Sequence, residues 1–149
     1  IEEGYDYYFH LDDDDIWEVN HIETMVNNLK KYPKIDFMIS KSRYKGIHLP
    51  RNFNFEDKLN NFTIKPENTV HSSWVINLNT LKPILLKIYQ NRINLIQKFK
   101  DNKEPETKLV PLDAFILKEL RFLQKKKRVK AYCGEGVTVT KESDINIPK

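Results

Sequence analysis

Between Tyr7 and Trp17 the chain reads YYFHLDDDDIW, an aromatic run that passes directly into four aspartates. The aromatic residues predict a buried strand over Tyr5–Leu11 that ends at the acids. Adjacent carboxylates repel one another, so such a cluster is stable only in water or around a cation. Its place at the end of a buried strand favours the cation. The segment therefore predicts a site where a hard divalent metal and a phosphate-bearing ligand meet.

The segments after the acids alternate between helical and extended patterns. Apolar side chains recur at helical spacing over Asn20–Tyr32, where Asn20 is a suitable N-cap and Pro33 ends the helix. Asp36–Ser40 is a short apolar run typical of a strand. A strand, a helix and a second strand in succession indicate an α/β protein. No repeat or change in composition divides residues 1–149, so we expect a single domain.

The rest of the chain predicts an irregular segment followed by further helices and strands. Residues 41–69, and Ser42–Asn68 in particular, lack a clean period and contain several asparagines and prolines, so we expect a long excursion with short strands, of the kind that often carries specificity. The later predicted elements are a strand over Trp74–Asn77, a helix from Asn79 or Thr80 to Gln90 with Pro83 in its first turn, its continuation over Ile93–Phe99 after a break, a helix over Leu112–Leu123, and strands over Val129–Tyr132 and Val137–Val139 around a turn at Gly134-Glu135-Gly136.

The composition is typical of a soluble globular protein. The 149 residues are 40% apolar and 31% charged, and no apolar run approaches the roughly 20 residues that span a bilayer. The single cysteine, Cys133, excludes an internal disulfide and a thiolate metal site, and we expect it to be a small buried residue. Glu2, Glu3 and Asp6 stand where a signal peptide would carry basic residues. We therefore expect a cytoplasmic protein.

The basic residues have two interpretations. The net charge is +4, and the densest basic run is Lys125–Arg128. Such a run is typical of a solvated helix end, where the helix dipole favours cations. The alternative is a peripheral contact with the inner face of a membrane or with another polyanion. No nucleic-acid-binding motif accompanies the charge, so we expect no nucleic acid partner.

The four aspartates admit more than one arrangement. In an extended segment Asp12 and Asp14 point to one side and Asp13 and Asp15 to the other, so that one pair can face a metal. A helix-loop-helix calcium site is excluded, because Trp17 occupies the position that requires glycine. The remaining alternative is a solvated acidic turn without a metal.

Five segments resemble nucleotide-sugar glycosyltransferases with the GT-A fold, of family 2-like or family 25-like type. Residues Tyr7–Trp17 resemble the signature f-L-D-x-D-D-x-W of these enzymes, and the order of all five segments strengthens the resemblance. It implies a mixed sheet flanked by helices and a D-x-D-type metal motif. The other segments are the P-x-x-D-F-M-I-S stretch at Pro33–Ser40, His71–Asn77 before a helix, Pro111-Leu112-Asp113 at a helix start, and Thr138–Ile145 with its S-D-I.

The resemblance implies a metal-dependent transfer from a nucleotide-sugar donor to a saccharide acceptor. Mn²⁺ or Mg²⁺ would bridge the donor diphosphate, with Asp14 as the best direct ligand and Asp15 as a second. Asp12 would contact the ribose or a metal-bound water. A second alignment gives these roles to Asp13, Asp14 and Asp15. Asp113 would be the general base of an inverting displacement, and its alternative role is that of a helix N-cap.

The resemblance also implies contacts with substrate. For His71 the alternative is a hydrogen-bonded histidine at a strand end, and for Trp74 it is packing in the core rather than stacking on a sugar. Some of these enzymes use a histidine near the C-terminus as a metal ligand, but no histidine follows His71. The expected substrate-binding residues are Asp13, His71, Ser72, Ser73, Trp74 and Asp144.

The chain departs from the resemblance at its start. These enzymes have an N-terminal half that binds the nucleotide base, whereas this chain begins at the strand before the acids. We therefore expect the N-terminal half of the same protein, or another chain, to cover the open edge of the sheet. We expect little transfer activity from these residues alone. The expected product is a surface glycan, such as a polysaccharide or a lipid-linked saccharide.

Two other functions compete with this one. The first is a non-catalytic glycosyltransferase-like module that binds a glycan or a protein. The second is a metal-dependent phosphoryl-transfer enzyme, in which Asp113 and Glu142 would add to the acid cluster.

Overall fold

The computed structural model describes residues 4–51 and 59–141. Within these ranges the chain forms a mixed sheet and three α-helices, so the predicted α/β class is confirmed. No helix in the described ranges has the length and apolarity needed to cross a bilayer. The elements are β1 (Tyr7–Phe9), β2 (Ile16–Trp17), α1 (His21–Lys31), β3 (Phe37–Tyr44), β4 (Ile47–Leu49), β5 (Asn60–Asn61), β6 (Trp74–Asn77), α2 (Leu78–Asp101), α3 (Leu112–Lys125) and β7 (Ala131–Thr140).

The sheet is built around two long parallel strands, β3 and β7. The strand order is β1-β6-β3-β7-β2, and every pairing other than β3 with β7 is antiparallel. The short strand β4 forms a hairpin with β3, and β5 pairs with β7. The register places Phe9 opposite Val75 and Arg43 opposite Thr140. β1, β3 and β7 therefore run in the same direction, and the chain leaves β1 and enters β6 on the side of the sheet toward which β3 and β7 run.

Side chains along β3 alternate between two apolar layers, as expected for a strand buried on both faces. Phe37 and Ile39 point into a layer formed with α2 and α3, and Met38 points to the opposite face. The spacing of apolar residues on α2 and α3 aims one stripe of each helix at the sheet. The first layer consists mainly of Phe37, Ile39, Trp74, Ile76, Leu81, Leu85, Ile88, Ile116, Leu117 and Leu120.

The opposite face is covered by α1. Met25 and Leu29 of this helix pack on Met38 and Val75. Gly134 of β7 lies directly beneath the helix, where an added Cβ would be 3.0 Å from the sulfur of Met25 and 3.4 Å from that of Met38. Glycine at this position therefore lets the two methionine side chains approach the strand closely.

One prediction about β7 is wrong in detail. The Gly134-Glu135-Gly136 segment is not a turn, because β7 runs through it as one strand. Ile39 pairs with Cys133 and Lys41 with Val137, so the segment is an irregularity in the β3–β7 register. Extra residues in one strand are accommodated in this way without ending it.

The predicted break in the second long helix is also wrong. α2 is continuous from Leu78 to Asp101, and Pro83 lies inside it rather than in its first turn. Its N-cap is Asn77, whose side chain accepts a hydrogen bond from the Asn79 amide at 3.0 Å, instead of Asn79 or Thr80. A cap two or three residues earlier lengthens the helix start and moves the proline inward.

The first helix and the irregular segment match their predictions in part. Asn20 is the N-cap residue of α1, but its side chain makes no capping hydrogen bond. The segment predicted to be irregular from Ser42 begins with the end of β3 and the β4 hairpin. Residues 52–58 of that segment, and the predicted contact residue Asp144 together with Glu142, lie outside the described ranges.

Candidate functional site

The four aspartates form a turn at the edge of the sheet where β1 ends. We call residues Asp12–Asp15 the acid turn. The amide of Asp15 donates to the carbonyl of Asp12 at 3.1 Å, which leaves Asp13 and Asp14 exposed at the tip. The prediction that Asp12 and Asp15 point to opposite sides is therefore wrong, because a turn cancels the alternation of an extended strand.

A single serine ties the two ends of the acid turn together. The hydroxyl of Ser72 accepts a hydrogen bond from the amide of Asp12 at 2.9 Å and donates one to the carboxylate of Asp15 at 2.6 Å. Ser72 lies in a 3₁₀ turn, His71–Ser73, that leads directly into β6. Both Ser72 and the Asp15 side chain are buried. The strand order thus brings a residue from position 72 under the acid turn.

A lysine just after β7 completes the charge balance of the acid turn. The Nζ atom of Lys141 lies 3.2 Å from a carboxylate oxygen of Asp15 and 3.5 Å from one of Asp12. Burial alone would lower the pKa of Lys141, but the hydrogen bond and charge of Asp15, with the charge of Asp12, raise it above the ordinary value. The ammonium group is therefore held in its charged form against two carboxylates.

Two histidines cover the other side of Asp12. His10 Nε2 lies 2.7 Å from the Asp12 carboxylate, and the rings of His10 and His71 stack with centroids 3.5 Å apart. Burial, with the nearby charge of His10, lowers the pKa of His71 to about 4, so its ring is neutral at pH 7. Burial opposes ionisation of Asp12, but the hydrogen bond and charge of His10, with the charges of Lys141 and His71, lower the pKa of Asp12 overall.

Asp113 lies close enough to this group to act on it electrostatically, since its charge favours the protonated form of His71. It is half-buried in the first turn of α3, and one of its oxygens accepts the amide of Ala114 at 2.8 Å. The N-cap position belongs to Pro111, so Asp113 is not the cap residue. Arg92 of α2 holds this helix start by donating to the carbonyl of Val110 at 2.6 Å.

A cluster of aromatic side chains, which includes Trp17 and His21, packs against the segment that carries the acid turn. The indole N–H of Trp17 donates to the carbonyl of Ser72 at 2.6 Å. The Trp17 ring stacks on His21 with centroids 4.7 Å apart, and His21 Nδ1 lies 2.8 Å from the hydroxyl of Thr138 in β7. Burial lowers the pKa of His21 to about 4. These contacts connect the acid turn, α1 and β7 into one packed unit.

The carboxylates fit a hard divalent cation by their chemistry. Asp12, Asp14 and Asp15 each offer one oxygen, and the three atoms lie within 4.8 Å of one another. Oxygen donors are the ligands that Mg²⁺ and Mn²⁺ prefer. A second group with the same mutual spacing consists of His10, Asp12 and His71. The acid turn lies at the carboxyl ends of parallel strands, where open α/β sheets commonly bind ligands.

The remaining predicted contact residues lie around this site at different depths. Asp13 is exposed and is not among the carboxylates that converge. Ser73 is buried, and its hydroxyl donates to the carbonyl of Val70 at 2.7 Å. Trp74 is in the core, with its ring 4.1 Å from that of His71. Trp74 thus packs against a residue of the site, whereas the hydrogen bonds of Ser73 go to Thr69 and Val70.

Sequence reasoning missed Lys141 and Thr138 as parts of the site. Lysine is common on surfaces, and Lys141 pairs with Asp15, which lies 126 positions earlier in the chain. The one available signal was its place in Thr138–Ile145, which was noted for its S-D-I residues rather than for the lysine.

The fold and the acid turn define a mixed α/β protein with a candidate oxygen-donor cation site at a sheet edge. No family model matches the chain. The chain is similar to a protein of Acanthamoeba polyphaga mimivirus that is named an uncharacterized glycosyltransferase, with 37% identity over 76 residues. The match covers 47% of this chain and 31% of that protein. At this coarse level the similarity links the chain to glycosyltransferases.

Proposed function

We propose that this chain is the metal-binding and acceptor half of a GT-A glycosyltransferase. It transfers a sugar from a nucleotide-diphosphate donor to a saccharide or lipid-linked acceptor. The observation that carries the proposal is the convergence of Asp12, Asp14 and Asp15 at the carboxyl edge of the sheet. The similarity to a protein named as a glycosyltransferase supports the same class.

Each aspartate of the acid turn has a distinct part in this proposal. A bound Mn²⁺ or Mg²⁺ ion would supply positive charge to the leaving diphosphate. Asp14 is exposed at the tip and is the direct ligand, and Asp15 is a second ligand held by Ser72. Asp12 contacts the donor ribose or a metal-bound water, while His10 holds its carboxylate in place. Exposed Asp13 contacts substrate or solvent.

Asp113 is the general base of the proposed reaction. The acceptor hydroxyl loses its proton to the Asp113 carboxylate as its oxygen attacks the anomeric carbon, and the bond to the donor diphosphate breaks with inversion. Its position in the first turn of α3 stabilises the charged form through the helix dipole.

The proposal includes an N-terminal half that binds the nucleotide base, supplied by the same protein or by another chain. β1 pairs with β6 on one side, and within the described residues its other side is an edge of the sheet. A strand from the N-terminal half would pair there. The product class is a surface polysaccharide or a lipid-linked saccharide, made on the cytoplasmic side of a membrane.

The direct test uses the full-length protein and measures Mn²⁺-dependent binding of a UDP-sugar. Asp14→Ala should abolish the metal-dependent part of that binding, since it removes the exposed ligand. Asp101→Ala is the control, because Asp101 is an exposed carboxylate at the end of α2 and away from the acid turn. Metal-dependent binding that survives in Asp14→Ala would refute the assignment of the ligand.

One observation favours a second function. The ion pairs of Lys141 with Asp12 and Asp15 balance the acid turn without a metal, as a non-catalytic glycan- or protein-binding module would require. Glycan binding that is unaffected by EDTA, without any transfer, would support this second function. The phosphoryl-transfer alternative stays a prediction, and phosphatase or nuclease activity without affinity for a nucleotide-sugar would support it.

A further inference from the structure

We propose that the ammonium group of Lys141 is a built-in cation of the acid turn, and that a divalent metal must displace it in order to bind. This inference rests on the proposed function, because it concerns the same carboxylates as the proposed metal site. It adds Lys141 to the site, and it adds a competition between the Lys141 ammonium group and the metal, neither of which the sequence resemblance includes.

The position of the ammonium group carries the argument. Lys141 Nζ lies 3.2 Å from Asp15 and 3.5 Å from Asp12, so it contacts two of the three carboxylates that converge. A hard divalent ion binds carboxylate oxygens at roughly 2.0–2.6 Å. An ion shared by the same two oxygens would lie within a few ångströms of the ammonium nitrogen. Two positive charges at that separation repel strongly in a partly buried site.

The carboxylate that anchors the lysine cannot turn away from it. The Asp15 side chain has 0% of its surface exposed, and the hydroxyl of Ser72 holds the same oxygen that contacts Lys141. A metal that uses this oxygen must therefore compete for it directly. Because a buried carboxylate needs a counter-charge, the lysine stabilises the turn whenever no metal does so.

The lysine, in contrast, is free to move its charged end. Its backbone amide is fixed by donation to the carbonyl of Arg43 at 3.0 Å, but its side chain is 27% exposed and ends in a flexible four-carbon stem. The ammonium can swing into solvent while the backbone stays in place. The acid turn thus has two alternative counter-ions, one covalently attached and one taken from solution.

The experiment measures Mn²⁺ affinity of the full-length protein without nucleotide, by electron paramagnetic resonance of the free ion. Lys141→Met should bind Mn²⁺ about ten-fold more tightly than wild type, since a charge-assisted hydrogen bond no longer competes. Lys141→Arg keeps the charge and should stay close to wild type. Lys108→Met is the matched control, because Lys108 also pairs with a carboxylate, Glu104, but outside the acid turn.

The outcomes separate this inference from the proposed function. A loss of folding would weaken Mn²⁺ binding, so tighter binding by Lys141→Met cannot arise from damage. If Lys141→Met binds Mn²⁺ no more tightly than wild type while Asp14→Ala loses binding, the competition is refuted and the metal site stands. If neither wild type nor Lys141→Met binds Mn²⁺, both the competition and the proposed metal dependence are refuted.

Discussion

The acid turn and the first turn of α3 both present candidate catalytic carboxylates, but they position them by different means. The carboxylates of the acid turn are held by Ser72 and Lys141, which come from distant parts of the chain. Asp113 is positioned by its own helix, where it accepts the neighbouring amide of Ala114. The difference separates a site that depends on the whole fold from one that depends on the placement of a single helix.

This comparison shows how the two parts would respond to change. A group held by long-range contacts is rigid and loses geometry when any of its partners is removed. A group held locally keeps its geometry, so its substitution tests chemistry alone.

The largest effect is expected at Asp113. Asp113→Asn should lower the transfer rate of the full-length protein by about 10²- to 10⁴-fold, because the amide cannot accept the proton of the acceptor hydroxyl. Mn²⁺ affinity and the unfolding midpoint should stay at wild-type values. Glu119→Gln on the same helix serves as the control. An active Asp113→Asn variant, or a product of retained configuration, would remove Asp113 from its assigned role.

Removal of the serine beneath the acid turn should cost stability and metal affinity together. Ser72→Ala leaves the buried Asp15 carboxylate without its hydroxyl donor, which we expect to cost about 1–3 kcal/mol in the free energy of unfolding. Mn²⁺ affinity should fall by about ten-fold, because the ligand is no longer oriented. Urea unfolding and a Mn²⁺ titration measure the two effects.

Ser73→Ala provides the matched control for that variant. Ser73 is equally buried and hydrogen-bonded, but its partners are Thr69 and Val70 rather than the acid turn. It should lose stability and keep its metal affinity. Equal losses of metal affinity in both variants would mean that the 3₁₀ turn acts as a whole and that Ser72 has no specific part.

A smaller effect is expected from acidification. The folded protein keeps His21 and His71 neutral, since burial lowers the pKa of each to about 4 from 6.5. Between pH 6.5 and pH 4 the unfolded chain takes up protons that the folded chain does not, so stability should fall as the pH falls through this range. His71→Gln should make the urea midpoint depend less on pH. An unchanged dependence would assign the effect to His21 alone.

The smallest effect is expected at the tip of the acid turn. Asp13 is exposed and does not converge with the other carboxylates, so Asp13→Asn should change the free energy of unfolding by less than about 0.5 kcal/mol. Its Mn²⁺ affinity should stay near that of wild type. A large loss of Mn²⁺ affinity would favour the second alignment, in which Asp13 takes part in metal binding.

The sequence predicted those parts of the fold that local patterns determine. The strand before the acids, the helix α1 and the strand β6 follow from apolar spacing and from caps or breakers next to them. The same patterns misjudged Gly134-Glu135-Gly136, because two glycines in three residues can mark either a turn or a strand irregularity. Pairing with β3, which is remote in sequence, continues on both sides of that segment and keeps it extended.

The geometry of the site was harder to predict than its composition. The acids and Asp113 were identified as candidates from their residue types and from the resemblance. The meeting of Asp12 and Asp15 depends on a turn that places the two end carboxylates on the same side. The presence of Lys141 depends on the parallel pairing of β7 with β3, and no local pattern reports a contact over that distance.

The close approach of α1 to Gly134 makes the packing at this position sensitive to side-chain size. Methionine side chains are unbranched and flexible, so Met25 and Met38 can adjust their shape to fill the narrow space between helix and strand. α1 begins at His21, which stacks on Trp17. The indole N–H of Trp17 donates a hydrogen bond to the carbonyl of Ser72, next to the acid turn. A side chain added at position 134 would therefore press on α1, whose first residue packs against the support of the acid turn.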